Sequence, residues 1–321
     1  MALFTALDAT ELAEICELYG LGPPESSTAI AAGTINSNFA LTAGGARYFL
    51  RVNEGKTTED VAWEAQLVGW LAHHGFPSPA PVPAPHGAGY LCWRDKLLTL
   101  FPWVSGRHLA PGDLMAAHVG RVGQALGRLH RLGQLAPPSW RRRSRYDAGH
   151  LAERFAMLAR QEDPVIVAAV ATLRPTLVDL DAAAAARAAA TETLIHGDLF
   201  RDNVLWDDAR LVAVLDFEQA SGGSAAYDLA VCFNDWCWDG APRADLVSAL
   251  LAGYQEERAL TPEDRAALPV EVCAAAARFT LTRLTDVYLA RVDNPEKDFR
   301  DFLARLEAWK SPVLHDFLAF V

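Results

Sequence analysis

The segment His196-Gly-Asp198-Leu-Phe-Arg-Asp-Asn203, followed by the apolar run Leu211-Val-Ala-Val-Leu215 and then Asp216-Phe-Glu218, constrains this chain more than any other. It sets an acid, an amide and a second acid in the order H-x-D-L-x-x-x-N and then D. Transfer of a phosphoryl group from a metal–nucleotide complex needs three such groups. One acid accepts the proton of the acceptor hydroxyl, an amide oxygen holds metal, and a further acid holds the metal that bridges the phosphates. Asp198, Asn203 and Asp216 fill those places in that order. The run before Asp216 is bounded by Asp207-Asp208 and by Ser221-Gly-Gly223, so it reads as a short buried strand delivering Asp216 to a cleft. A chance hairpin with surface carboxylates accounts for one D-x-x-x-x-N, but not for the coupled strand and second acid. The segment points to a phosphotransferase.

A chain of 321 residues favours two domains over one. With 51% hydrophobic and 21% charged residues it can build a large core, which excludes global disorder. The net charge of -11, from 40 acidic and 29 basic residues, argues against a nucleic-acid partner, whose binding rests on neutralised phosphates. The local exception, Trp140-Arg-Arg-Arg-Ser-Arg145, reads as a solvated loop or helix start. Cys16, Cys92, Cys232, Cys237 and Cys273 are odd in number and form no C-x-x-C, which disfavours a disulfide framework or structural zinc. No basic start with an apolar core opens the chain, and no apolar run approaches membrane-spanning length. The expectation is a soluble, cytoplasmic protein without a membrane partner.

Leu7, Leu12, Ile15 and Leu18 predict a helix within residues 5–20, with Thr5 or Asp8 as cap. Ala29–Thr42 and Arg47–Asn53 look like strands joined at Ala43-Gly44-Gly45. Thr58–His74 is helical, Pro77–Pro85 an extended connection, and Tyr90–Trp93 with Lys96–Pro102 a second strand pair. Residues 1–103 therefore read as a small lobe on an antiparallel sheet, with a hinge near 103–108 where nucleotide clefts tend to lie. The remainder, 104–321, is mainly helical. Helical patterns cover Asp113–Leu132, the Ala-rich 182–190, Ala226–Asp235, Ala244–Glu257, Val270–Arg291 and Pro295–Lys310.

Outside the central segment the signals are weaker. Gly33-Thr-Ile-Asn36-Ser37-Asn38 can cradle phosphate oxygens with backbone N–H groups and short polar side chains, or be an ordinary polar hairpin. Arg51 and Glu64 form a candidate basic–acidic pair at the nucleotide phosphates; a surface ion pair is the plainer reading. Gly55-Lys56-Thr57 mimics the end of a P-loop, but position 50 is Leu where that loop needs Gly, so it is rejected. His73, His74 and His86 lack metal spacing, and no G-x-S-x-G elbow is present. Asp228, at the start of an apolar helix, is either a cap or a buried acceptor for N–H groups of the catalytic loop. Asn234 and Asp235, among Phe233, Trp236 and Trp238, suggest a small pocket with a carboxylate for a cationic group, or a polar helix end.

On Gly33-Thr-Ile-Asn-Ser-Asn-Phe39, His196-Gly-Asp-Leu-Phe-Arg-Asp-Asn-Val-Leu205, Asp216-Phe, Tyr227-Asp228-Leu-Ala and Asn234-Asp-Trp-Cys237, the chain resembles the aminoglycoside-phosphotransferase/choline-kinase-like family. The resemblance covers nearly the whole chain. Within the family it is most similar to the bacterial homoserine-kinase branch. Glu218-Gln219 stands where that branch suggests Tyr-Asn, and Arg51 replaces the usual Lys. The resemblance implies an α+β, two-lobed protein-kinase-like fold, with a nucleotide-binding N-lobe and a catalytic, substrate-binding C-lobe. It implies ATP and Mg²⁺ as cofactors and the hydroxyl of homoserine as acceptor. Asp198 would be the catalytic base, with Asn203 and Asp216 on the metal. Gly33, Asn36, Ser37, Asn38, Arg51 and Glu64 would bind the nucleotide, and His196 and Asp228 would support the catalytic loop. Asp235 would take the substrate ammonium. The substrate carboxylate needs an Arg, for which Arg201, Arg278 and Arg283 are candidates. A kinase of choline, ethanolamine, hydroxylysine or an aminoglycoside stays open, as does a pseudokinase binding module, against which the intact Asp198, Asn203 and Asp216 argue.

Overall fold

A computed structural model describes residues 5–30, 36–311 and Leu318. The chain forms two compact units, 1–107 with 205–218, and 108–204 with 219–321.

In the first unit, helix α1 (Ala9–Leu18) begins with a capping box in which Asp8 and Glu11 bond each other's backbone N–H, so Asp8 rather than Thr5 is the cap. A five-stranded antiparallel sheet follows in the order β1 (Pro24–Ile30), β2 (Ser37–Ala43), β3 (Ala46–Asn53), β5 (Lys96–Pro102), β4 (Leu91–Trp93). β2 and β3 are joined by Gly44 and Gly45, both at positive φ (56° and 74°), the backbone that a two-residue hairpin turn requires. The single strand expected over Ala29–Thr42 is instead the end of β1 and most of β2, with 31–35 outside the described residues. β1 itself escapes a hydrophobicity reading because it is a polar edge strand, Pro-Glu-Ser-Ser-Thr-Ala-Ile.

The pleat sorts the sheet's two faces. Phe39, Leu41, Leu50, Val52, Leu98 and Leu100 pack with Leu12 and Ile15 of α1 into one core. The opposite face carries Asn38, Arg51 and Thr99 in cross-strand register. Helix α2 (Thr58–His73), capped by Thr57, supplies the buried Glu64. The hairpin β7 (Val204–Asp207) and β8 (Arg210–Val214), which the sequence reading grouped with the C-terminal lobe, is held largely by first-unit bonds. Trp206 exchanges backbone bonds with Arg107, Val214 N–H donates to Pro77 O at 2.6 Å, and Phe217 packs edge-on against Phe76.

The second unit is mainly helical: α3 (Ala116–Leu135), α4 (Ala148–Leu158), α5 (Pro164–Ala182), α6 (Ala184–Ala189), α7 (Ala225–Trp236), α8 (Ala244–Glu257), α9 (Pro262–Arg283) and α10 (Phe299–Trp309). The helix expected from Val270 starts earlier, at Pro262, because Thr261 and Asp264 form a capping box; it ends at Arg283 in a π-turn over Leu284–Tyr288. α3 and α8 pack backbone to backbone. A Cβ on Gly123 would stand 2.0 Å from Leu250 O, and one on Gly253 2.0 Å from Gly120 O, so any side chain there would push the helices apart. Strands β6 (Glu192–Ile195) and β9 (Ser221–Ser224) pair antiparallel. The basic run binds here through main chain and side chain: Gly222 N–H donates to Arg142 O, and Arg142 Nε–H donates to Ala220 O. Among the described residues no helix is long and apolar enough to cross a membrane.

Candidate active site

In the second unit the catalytic segment leaves β6 at Ile195 and turns at Gly197, whose φ is +76° and whose Cβ position lies only 3.2 Å from Gln219 O. Asp228, on α7, holds that turn. Its Oδ2 accepts His196 N–H at 2.7 Å and its Oδ1 accepts Gly197 N–H at 2.8 Å. The carboxylate is wholly buried, and His130 Nε2 lies 3.1 Å from Oδ2. Burial alone would raise the Asp228 pKa; the bonds and charges of His130 and His196 outweigh it and hold the group below its ordinary value. Behind His130 the polar chain continues to Tyr254 Oη (2.8 Å), then to Arg258 and on to Asp264. His130 is one structural residue that sequence reasoning missed. It sits on α3, and no spacing in the sequence ties it to Asp228 on α7.

Within the loop, Asp198 N–H faces His196 Nδ1 at 3.3 Å, and Asp198 O accepts Asn203 Nδ2–H at 2.8 Å. The Asn203 amide is thereby oriented, with its Oδ1 outside that bond. Trp236 Nε1–H anchors the loop through Leu199 O at 2.8 Å. The Asp198 carboxylate is part-exposed and Arg278 Nη1 stands 3.5 Å from it. The Arg278 guanidinium is itself sandwiched, 4.0 Å from the Tyr146 ring and 3.8 Å from the Phe279 ring.

Asp235 and Arg201, both proposed for substrate, are brought together with each other. Asp235 Oδ2 accepts Arg201 backbone N–H at 2.8 Å and Nε–H at 3.3 Å. The pocket expected among the aromatic residues takes a different form. Phe233 and Trp236 are core residues, and Asn234 donates to Ala230 O and Val272 O inside the helix packing.

In the first unit, Asp216 follows β8 with φ +62°, a left-handed conformation that non-glycine residues adopt uncommonly. Carboxylate oxygens of Glu64, Asp216 and Glu218 lie within 4.8 Å of one another. Arg51 Nη1 bonds Glu64 at 3.0 Å and lies 3.3 Å from Glu218. Burial pulls the Arg51 pKa down, but Glu64, Asp216 and Glu218 more than reverse this and hold the guanidinium charged. Lys56, dismissed with the false P-loop, joins the cluster: Nζ lies 2.7 Å from Glu218 and 3.3 Å from Glu64. The P-loop itself stays rejected, since the lysine meets carboxylates of its own chain. Asn36 donates to Glu218 and accepts from Glu54 N–H. Ser37 is engaged elsewhere, accepting Thr5 N–H and donating to Glu54. Asn38 stands opposite Arg51 on β2, and Gly33 lies outside the described residues.

Residues 26–260 match the phosphotransferase enzyme family model. A homoserine kinase of Gluconacetobacter diazotrophicus is 34% identical over 327 residues, covering 95% of this chain and 96% of its own. One of Methylobacterium radiotolerans is 36% identical over 292 residues, covering 89% and 88%. Among solved structures, an amicoumacin kinase in complex with AMP-PNP and Ca²⁺ has a TM-score of 0.73 at 17% identity, covering 94% of this chain and 93% of its own. A choline/ethanolamine kinase family protein of Mesorhizobium loti has a TM-score of 0.68 at 20% identity, covering 98% of each chain. These two share the fold: an antiparallel-sheet N-lobe and a helical C-lobe, as in protein kinases. On the family match and the near full-length relatives, the chain belongs to the phosphotransferase enzyme family.

Proposed function

We propose that this protein transfers the γ-phosphoryl group of ATP to the hydroxyl of L-homoserine, giving O-phospho-L-homoserine, with Mg²⁺ as the metal of the nucleotide. The observation that carries this reading is the similarity to homoserine kinases over about nine-tenths of both chains, at 34–36% identity. The reaction is a step toward threonine.

Phosphoryl transfer asks mainly for positioning and charge neutralisation. Asp198 accepts the proton of the homoserine hydroxyl; its carboxylate is part-exposed and its loop is fixed through Asp228. Arg51 and Lys56 neutralise phosphate charge from the first unit. A hard cation fits the donor sets. Asp216 offers a carboxylate beside Glu64 and Glu218, and Asn203 offers an amide oxygen while its nitrogen is engaged. When bound, Mg²⁺ would neutralise charge on the phosphate oxygens. Asp235 keeps Oδ1 outside its Arg201 bonds, so it has an acceptor left for the substrate ammonium.

An ADP-release assay with Mg-ATP and equal concentrations of homoserine, choline, ethanolamine, hydroxylysine and an aminoglycoside tests the reading. Turnover is expected with homoserine. Preference for choline or an aminoglycoside would overturn the assignment, and no turnover with any acceptor would favour a binding module.

A further inference from the structure

Four arginines of the second unit, Arg201, Arg278, Arg283 and Arg305, lie along Asp235 and the packed rings of Phe279 and Phe302, whose centroids are 4.8 Å apart. Three of them have oxygen partners. Arg201 binds Asp235, Arg278 faces Asp198, and Arg283 donates to Asp298 O at 2.9 Å and lies 3.7 Å from Asp301. Arg305, on α10, differs. Among the described residues it has no hydrogen bond or ion pair, and its Nε is buried without an acceptor. Its guanidinium carbon rests 4.4 Å from the Phe302 centroid and 5.6 Å from that of Trp238. Arg283 stands at 4.5 Å from the same Phe302 ring.

Aromatic rings therefore hold this cation in place without neutralising it. Burial first, and then repulsion from Arg283 and Arg201, push its pKa down to about 10 against the pull of Asp235 and Asp301, so it stays charged at neutral pH. A desolvated donor without an acceptor is costly, and a planar guanidinium fork matches a carboxylate in two parallel bonds. The charge of Asp235 acts on both Arg305 and Arg283, and that of Asp198 acts on Arg283. The open cation thus shares an electrostatic neighbourhood with the catalytic acid.

We propose that Arg305 binds the α-carboxylate of the acceptor, so that the site selects an α-amino acid over an amino-alcohol of the same length. This rests on the homoserine reading and names the group that recognises its carboxylate. It also replaces Arg201, Arg278 and Arg283, none of which is without an oxygen partner.

Steady-state kinetics with homoserine and with 3-aminopropan-1-ol, which is homoserine without its carboxylate, test the proposal. In Arg305→Met the ratio of kcat/KM for homoserine over the amino-alcohol is expected to fall by about 10- to 100-fold, mainly through the homoserine KM. The ATP KM and the thermal midpoint of the same preparation report whether the variant is folded. Should Arg305→Met fail to fold, Arg305→Lys, which keeps the charge and stem but not the fork, decides in the same way. A homoserine KM raised several-fold supports the site, and an unchanged one overturns it. A wild-type protein that phosphorylates homoserine, paired with a folded variant of unchanged ratio, overturns the carboxylate site alone. A wild-type protein inactive on homoserine overturns the functional reading, and the proposal with it.

Discussion

Lys56 Nζ stands 2.7 Å from Glu218 Oε1, and Arg51 Nη1, at 3.3 Å, and Asn36 Nδ2 reach the same oxygen. Burial would raise the Glu218 pKa, but Arg51, Lys56 and Asn36 outweigh it and keep the carboxylate charged. Three donors converging on one anionic oxygen make a ready anion site, the kind that a phosphate oxygen needs.

Lys56→Met is accordingly expected to raise the ATP KM by about 10-fold or more, the loss of one charge-assisted bond, and to leave the homoserine KM much less affected. Kinetics with each substrate varied in turn check this. An unchanged ATP KM would return Lys56 to the role of an internal ion-pair partner.

Asp216→Ala removes a carboxylate from the cluster with Glu64 and Glu218. Nucleotide binding should weaken and lose its dependence on Mg²⁺. Calorimetry with and without the metal reads both effects. Should the metal dependence match the parent's, Glu218 is the principal ligand.

Asp198→Asn should lower kcat by about 10²–10⁴-fold, the usual contribution of a general base, while ATP affinity is largely kept. Arg278 then loses the carboxylate it faces at 3.5 Å. A kcat within a few-fold of the parent would remove Asp198 from the base position.

How far the chain could be read depended on where the partners of each residue lie. Asp198, Asn203 and Asp216 fall within one short stretch, so their spacing carries the chemistry directly. Asp228 was legible as a candidate acceptor because a carboxylate among apolar helix residues needs donors. Lys56 was not, because its partners Glu64 and Glu218 come from separate segments and a local motif search sees only Gly55-Lys56-Thr57. Arg305 was hidden for a related reason: its meaning is the absence of an oxygen partner among the described residues, which no pattern encodes. Strand β1 was missed because a polar edge strand lacks the alternation that marks a half-buried one.

Asp228→Asn should destabilise the protein by about 1.5–3 kcal/mol, since it weakens the buried bonds that His196 N–H and Gly197 N–H donate to a charged acceptor and disturbs the contact with His130 Nε2. Its folded pKa lies below the ordinary value of 3.8, so its stabilisation is complete above that value and is lost as pH falls through the folded pKa. The variant lacks that dependence and should show a flatter acid limb. Urea unfolding from pH 2 to 7 measures both, and an acid limb as steep as the parent's would assign the loss to other carboxylates such as Asp264.

Asp235→Asn bears on substrate choice. Asp235 Oδ2 is taken by Arg201, and Oδ1 is the acceptor that remains for an ammonium group. Asparagine keeps an oxygen for the Arg201 N–H but carries no charge, so the loop geometry should survive while attraction for the ammonium is lost. A charge-assisted bond contributes about 1.5–3 kcal/mol. The homoserine KM should therefore rise by about 10- to 100-fold, with the ATP KM nearly unchanged. A structural role alone predicts something else: a lower thermal midpoint and a fall in kcat that is the same for every acceptor. The two are separated by measuring both KM values and the melting midpoint on one preparation. A homoserine KM equal to the parent's, in a folded variant, would leave Asp235 as the partner of Arg201 and no more.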